Sequence, residues 1–249
     1  MSMFRPQILR FDSLSSTNDE VARQAALGAD EGLCVVAAEQ TAGRGRLQRP
    51  WLSPKNAGLY LSILLRPALD QHSWPLVTFV AALAVNDALL HCCNLETDIK
   101  WPNDLLLNDR KLCGILAETI ETSAGRALIV GIGINVKKNS FPVELESVAT
   151  SVETETGQAM APEELLEPLL GAFSKHYQTL QQAGGNENIV REVSARSSYA
   201  SNKRICVNVD GNLLGTTRGL ESDGSLRVET DDGEVKTIRA GDVTVVRST

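Results

Sequence analysis

Histidine is scarce in this 249-residue sequence: three residues, at positions 72, 91 and 176, far apart along the chain. Such spacing argues against a zinc site or a histidine-based catalytic triad. Cysteine numbers five, an odd count, and none stands in a CxxC pair or near a histidine at ligand spacing. Cys92 and Cys93 are adjacent, near the end of an apolar helical stretch, and the set reads as buried reduced thiols of a cytosolic protein. No window approaches the apolar length of a membrane span, and the opening "MSMFRPQILRFDSLSST" lacks the apolar core of a signal peptide, so a cytoplasmic location is expected. There is no internal repeat, no low-complexity tract and no Walker A motif. Positive charge is in deficit overall, with a formal net charge of −7, which argues against general affinity for nucleic acid or anionic membrane.

What is present is ordinary in bulk and unusual in places. The chain is 43% hydrophobic and 22% charged, enough for a substantial core in one large domain or a domain plus a small one. "SSTNDEVARQAALG" reads as a short helix, with a possible capping box from Thr17 to Glu20 and a close at Gly28. Gly32 to Gln40 reads as a buried strand and "GLYLSILLRP" as the next, ended by Pro67. Residues 73 to 92 read as a helix, and 162 to 182 as a second long one with Pro162 near its first turn. Between them, "TDIKWPNDLLL" and "KLCGILAETI" flank the turn signal Asn108-Asp109 and predict a hairpin. If Leu107 faces Arg110, Leu106 faces Lys111 and Asp104 lies across from Cys113, which gathers Lys100, Asp104 and Lys111 at one end. In "RALIVGIGINVKK", Val130, Ile132, Ile134 and Val136 point one way and Gly131, Gly133 and Asn135 the other. One face is core; the other is cleared of side chains, either for a flat ligand or for tight strand packing. From about residue 200, β-branched runs broken by "DGN", "SDGS", "DDGE" and "AGD" predict a small all-β barrel. The predicted boundary divides the chain into 1–195 and 196–249.

Local concentrations of charge carry the functional information. "GRGRLQRPW" opens a loop holding Arg44, Arg46, Arg49 and Lys55 with no acid among them. Four such charges repel, so gathering them suits a shared anion; a solvated basic turn is the other reading. Trp51 is either core or a cover for an adenine ring. "KWPND" offers Lys100 for phosphate and Asp104 for metal or proton work, or is an exposed strand end with an ion pair. "STN" at 16–18 either caps a helix or presents three hydrogen-bonding side chains to a small polar ring.

Taken together, "STN", "EQTAGRGRLQRPWLSP", "KWPNDLLLNDRKLCGILAE" and "GIGIN", in that order, resemble the biotin protein ligase family, also called biotin–[acetyl-CoA-carboxylase] ligases. "DGSLRVETDDGEVKTIRAGDV" resembles the family's small C-terminal SH3-like domain. The resemblance implies an α+β fold, a central mixed β-sheet flanked by helices and shared with lipoate ligases, followed by the small barrel. It implies ATP-dependent activation of biotin as biotinyl-5′-AMP, with Mg²⁺ carrying the triphosphate, and transfer to a lysine of a biotin carboxyl carrier domain such as that of acetyl-CoA carboxylase. Family likeness places Ser16, Thr17, Asn18 and Gln40 at the biotin ureido ring, Gly114 in the pocket wall, and Gly43, Arg44, Gly45 and Arg46 in the loop over the adenylate. Trp51, Asn103 and Asn135 border the nucleotide in this likeness, together with Arg44, Arg46 and Lys100. Lys111 bridges the biotin carboxyl and α-phosphate, Lys100 meets phosphate, Arg46 retains the intermediate, and Asp104 assists metal or the incoming lysine. The likeness allows a homodimer. The first recognised motif begins at Ser16, so a monofunctional ligase without a DNA-binding domain is expected.

The arginine loop and one strand position depart from the family pattern. Gln48 stands where glycine is common, and Pro50 stiffens the step before Trp51. Cys113 replaces a glycine or alanine and is expected to make the site sensitive to oxidation or alkylation. The competing readings are a lipoate ligase, which has no use for the "STN" ring contacts, and a silent biotin-binding module, which needs neither Lys111 nor Asp104.

Overall fold

The chain is described by a computed structural model over residues 4–209 and 211–246. Asp210, first residue of the "DGN" turn signal, lies outside the described residues. Seven strands form the main sheet: β1 (Gln7–Phe11), β2 (Leu33–Ala37), β3 (Gly58–Leu65), β4 (Asp98–Lys100), β5 (Asp104–Leu107), β6 (Arg110–Thr122) and β7 (Gly125–Asn135). Their order is β1-β2-β3-β7-β6-β5-β4, with β1 and β2 parallel and every other pair antiparallel, so the expected mixed sheet is present. All eight residues of β3 are buried, as expected of a central strand that is apolar except at Ser62.

The two faces of the sheet are covered unequally, and that inequality makes the site. On one face, α2 (Leu76–Cys93), α4 (Leu166–Leu180) and α5 (Gly185–Ala195) bury Leu59, Leu61, Ile63, Val130, Ile132 and Ile134 in the main core. The segment Gln71–Cys93 contains an 18-residue window of mean hydropathy 1.8, long and apolar enough to cross a membrane, contrary to the reading that no window approaches that length. Two thirds of it (67%) is buried here, because it is the core helix against the sheet. On the other face, α1 (Thr17–Ala26) packs Val21 and Ala25 into a smaller cluster with Leu33, Val35, Leu64, Ala127 and Ile129. The remaining part of that face, above Gly114, Gly131 and Gly133, is left for a cavity.

A five-stranded antiparallel sheet follows, β8 (Ser201–Val209), β9 (Gly211–Leu220), β10 (Leu226–Glu229), β11 (Val235–Ile238) and β12 (Asp242–Val245), in the order β11-β10-β9-β8-β12. Its Ile205, Val207, Leu226, Val228 and Val243 continue the main core without a break. Trp101 Nε1 donates to Gly224 O at 3.0 Å, tying the "KWPND" turn to the β9–β10 connection.

Several elements differ from expectation. β1, the short α3 (Val152–Thr156) and α5 carry no strong sequence signal; α5 begins within "GGNEN", after Gly184 in a left-handed conformation. The cap of α1 is Ser16, not Thr17, which frees the threonine hydroxyl for other work. The hairpin forms with Leu107 opposite Arg110 and Leu106 opposite Lys111, but a bulge then shifts the register by one. Leu105 faces Cys113 and Asp104 faces Gly114, so Asp104 is not across from Cys113.

The packing of α2 is expected to dominate stability. Leu83→Ala, at a fully buried position, should cost about 2–5 kcal/mol, read as a lower urea midpoint with an unchanged slope.

Candidate active site

A cavity of about 290 Å³ lies over the open half of the sheet. Its neutral end is built by the start of α1. Gln40 Oε1 accepts from Thr17 N at 2.9 Å and from Thr17 Oγ1 at 3.0 Å, and Gln40 Nε2 donates to Ser53 Oγ at 2.9 Å. Ser62, the polar residue in the middle of apolar β3, lies 2.7 Å from Thr17 Oγ1 and 2.6 Å from Asn18 Oδ1. Asn18 Nδ2 donates to Glu118 Oε2 at 2.6 Å. The carboxamide of Asn18 rests on Gly131, where a Cβ would stand 2.4 Å from its oxygen.

Trp51 takes the rest of the cleared strip. A Cβ on Gly133 would sit 2.5 Å from the indole, and one on the paired Gly114 would sit 3.1 Å from it. The glycines therefore make room for Asn18 and Trp51, and the ligand space is what remains above them. Trp51 Nε1 is buried and meets no acceptor among the described residues, so it is free to donate to an acceptor on a ligand.

The cationic end is assembled from distant parts of the chain. Lys111 Nζ pairs with Asp104 Oδ1 at 2.7 Å and stands 5.3 Å from the Trp51 ring centroid. The Lys111 backbone is held from both sides, by its N–H to Val148 O (2.8 Å) and by Thr150 N–H to its own carbonyl (2.9 Å). Asn135 Nδ2 donates to Thr150 O at 3.1 Å, fastening the same 140–150 segment. Asn103 donates to Ile115 O at 2.9 Å and accepts from Arg46 Nη1 at 3.1 Å.

The arginine loop is not an unscreened cluster, as the sequence had suggested. Arg44 grips Asp19 with two bonds of 2.8 and 2.6 Å, which holds the Asp19 carboxyl below its usual range. Lys55 meets Asp12 at 2.6 Å, and Arg49 is in ion-pair contact with Asp242 of β12. Arg46 also donates to Gly241 O at 3.2 Å. Each acid lies outside the loop, so no local window reveals the pairing. Within the loop, Gly45 N donates to Arg49 O at 2.8 Å, and Leu47 and Gln48 both adopt left-handed backbone (φ 55° and 58°). The second of these explains why glycine suits position 48.

Of the predicted site residues, Ser16, Thr17, Asn18, Gln40, Arg44, Gly45, Arg46, Trp51, Asn103, Asp104, Lys111, Gly114 and Asn135 all line this cavity. Two do not. Gly43 backs Trp51 by accepting its N–H at 2.8 Å, and a Cβ there would meet Trp51 O at 2.5 Å. Lys100 points into an adjoining space of about 380 Å³ shared with β8, β9 and β12. Burial there holds the Lys100 ammonium below its usual pKa, against the pull of Asp104 and Asp242. Cys113 faces the main core with no exposure, and burial raises its thiol pKa, so it is not the reactive cysteine expected at the site. Sequence reasoning missed Ser62, Glu118, Asp19 and Asp242. Ser62 alone had a local signal, a hydroxyl interrupting an apolar strand.

The profile of the Biotin/lipoate A/B protein ligase family matches residues 11–135. The chain belongs to this family. A second profile, Biotin protein ligase C terminal domain, matches residues 200–246 and covers the small antiparallel sheet. Among relatives of this ligase family, a bifunctional ligase/repressor of Bacillus subtilis is 36% identical over 239 residues, covering 95% of this chain and 73% of that one. A biotin–[acetyl-CoA-carboxylase] ligase of Paracoccus denitrificans is 37% identical over 218 residues, covering 85% and 89%. The fold is similar to that of the biotin protein ligase of Aquifex aeolicus in complex with biotin and ATP, with a TM-score of 0.83 and 30% identity over 97% of this chain and 99% of that one.

The seat of Trp51 gives a direct test of this geometry. Gly133→Ala is expected to push the indole off the sheet and shift its fluorescence emission, while Trp74 and Trp101, both buried elsewhere, report no change. An unaltered spectrum would mean that the strand yields instead.

Proposed function

We infer that this chain is an ATP-dependent ligase that activates biotin as biotinyl-5′-AMP and transfers it to a lysine of a biotin carboxyl carrier domain. The observation that carries this reading is a single cavity with a neutral hydrogen-bonding end and a cationic end. Thr17, Asn18 and Gln40 suit a small ring with both donors and acceptors, such as the ureido ring of biotin. Lys111, Arg46 and Asn103 suit the developing charge where a carboxylate meets an α-phosphate.

In the first step a biotin carboxylate oxygen forms a bond to the α-phosphorus, and the bond to the β,γ-diphosphate breaks, releasing pyrophosphate. Lys111 stands between the two anions and offsets their repulsion. Arg44, Arg46 and the Gly43–Gly45 backbone close over the acyl-phosphate, and Trp51, Asn103 and Asn135 border the nucleotide. In the second step the acceptor amine attacks the acyl carbon, AMP leaves, and the amine proton passes to a base, the role assigned to Asp104. Lys100 serves phosphate from the adjoining space.

Among the described residues no group of three or more His, Cys, Asp or Glu side chains could hold a metal. A cavity lined by the carboxylates of Asp104 and Asp242 fits Mg²⁺ arriving on the triphosphate, since Mg²⁺ is commonly held by substrate phosphates with one or two carboxylates. Asp104 is the carboxylate that would meet it. The division at residue 195 follows the end of α5 at Ala195 and the start of β8 at Ser201. The net charge of −7 supports a partner list without nucleic acid or membrane surface; a cytoplasmic location remains part of the proposal. A homodimer fits the length of β6 beyond Gly114, where β5 no longer pairs with it.

The reading is tested by incubating the protein with ATP, a carrier domain and either biotin or lipoate. Biotinyl-lysine with AMP and pyrophosphate is expected; lipoyl transfer, or none, overturns it. Lys111→Ala is expected to bind biotin within a few-fold of normal while adenylate formation is lost, because its charge matters most in the transition state. Calorimetry beside pyrophosphate release separates the two effects.

Arg46→Gly is expected still to make biotinyl-AMP but to release it. A charge-assisted arginine contact is worth about 1.5–3 kcal/mol, or on the order of 10- to 100-fold in dissociation. The measurement is biotin labelling of serum albumin added to the reaction. Unlabelled albumin alongside intact adenylate synthesis assigns retention to another residue.

A further inference from the structure

Asp242 comes from the small C-terminal sheet, yet its side chain faces the reaction cavity. One carboxylate oxygen is in ion-pair contact with Arg49, and the other is 3.9 Å from Arg46 Nη1. Asp242 lines both the main cavity and the adjoining space that holds Lys100. Four cations, Arg46, Arg49, Lys100 and Lys111, thus face two carboxylates, and one of these, Asp104, is taken by Lys111. Asp242 is the anion left for the two loop arginines. The loop tip has little else to hold it: Leu47 is 73% exposed, and the side-chain ties of Arg46 and Arg49 run to Asn103, Gly241 and Asp242.

A carboxylate is an acceptor-only group with two oxygens, and a guanidinium fork binds it as it binds a phosphate. We propose that Asp242 is a positioning residue that stands in for phosphate, holding Arg46 and Arg49 inward until a triphosphate takes them over. This rests on the ligase reading and adds a role for the small domain. Arriving phosphates are repelled by Asp242 and attracted by the same arginines, so the arginines change partners. The small domain is then bound to the loop while the site lacks phosphate and is let go as phosphate enters.

This arrangement predicts an unusual sign. Asp242→Asn removes a competing negative charge from a site for a polyanion, so pyrophosphate and ATP should each bind about five- to tenfold tighter, with biotin affinity unchanged. Asp242→Glu, which keeps the charge, should bind both as the wild type does. Calorimetric titration of the three proteins reads this. Equal or weaker binding of both anions by Asp242→Asn overturns the proposal and leaves Asp242 a plain structural tie. A wild-type protein that binds neither ATP nor pyrophosphate counts against the ligase reading instead. In the wild type, the carboxyl ¹³C resonance of Asp242 should move as pyrophosphate is added; a resonance unmoved at saturation overturns the proposal independently of any variant.

Discussion

Arg44, Arg46, Arg49, Lys100 and Lys111 are drawn around two joined cavities of a protein whose net charge is −7, and each repels the others unless a carboxylate is supplied. The fold meets that constraint with acids from three sources: Asp19 at the start of α1, Asp104 at the start of β5 and Asp242 at the start of β12. Helix, sheet and small domain must all be in place before the loop can settle. The positive end keeps more cations than acids, which suits it to a ligand bearing several negative charges.

The same dependence explains what the sequence revealed and what it hid. The alternation in β7 was plain, because period-two patterning is local, and it correctly separated the core face from the glycine face. What occupies the glycine face was not local. Asn18 and Trp51 reach it from segments about 80 to 110 residues away, and the strip read as empty is seated with their side chains. The Asn108-Asp109 turn was legible in its residue types, and both residues are left-handed. The bulge between Leu105 and Leu106 was not, since no residue announces an extra position, and it moved Asp104 opposite Gly114. Cys113 was misjudged for a similar reason: one residue of register decides whether a side chain faces ligand or core.

Gln48 illustrates how motif and geometry complement each other. The motif marks it as a departure from glycine, and the backbone shows that the position is left-handed, at a modest cost for a side chain. Leu47 beside it pays no such attention to pattern and is equally left-handed. The loop tolerates both because its ends are pinned, by the Arg44–Asp19 bridge on one side and the Trp51–Gly43 hydrogen bond on the other.

The bond from Trp101 to Gly224 has a meaning for any shortened form of the chain. The indole is 3% exposed, and the residue before Asn103 and Asp104 in the reaction turn is a proline joined to it through a cis bond. A polypeptide ending before Ser201 would leave that indole facing water, along with the parts of α2 around Leu76 and Phe79 that Gly224 now approaches. Such a fragment would carry a sticky apolar face beside its own reaction turn, so recombinant expression of the first 195 residues alone would favour clumping over a clean, half-active enzyme.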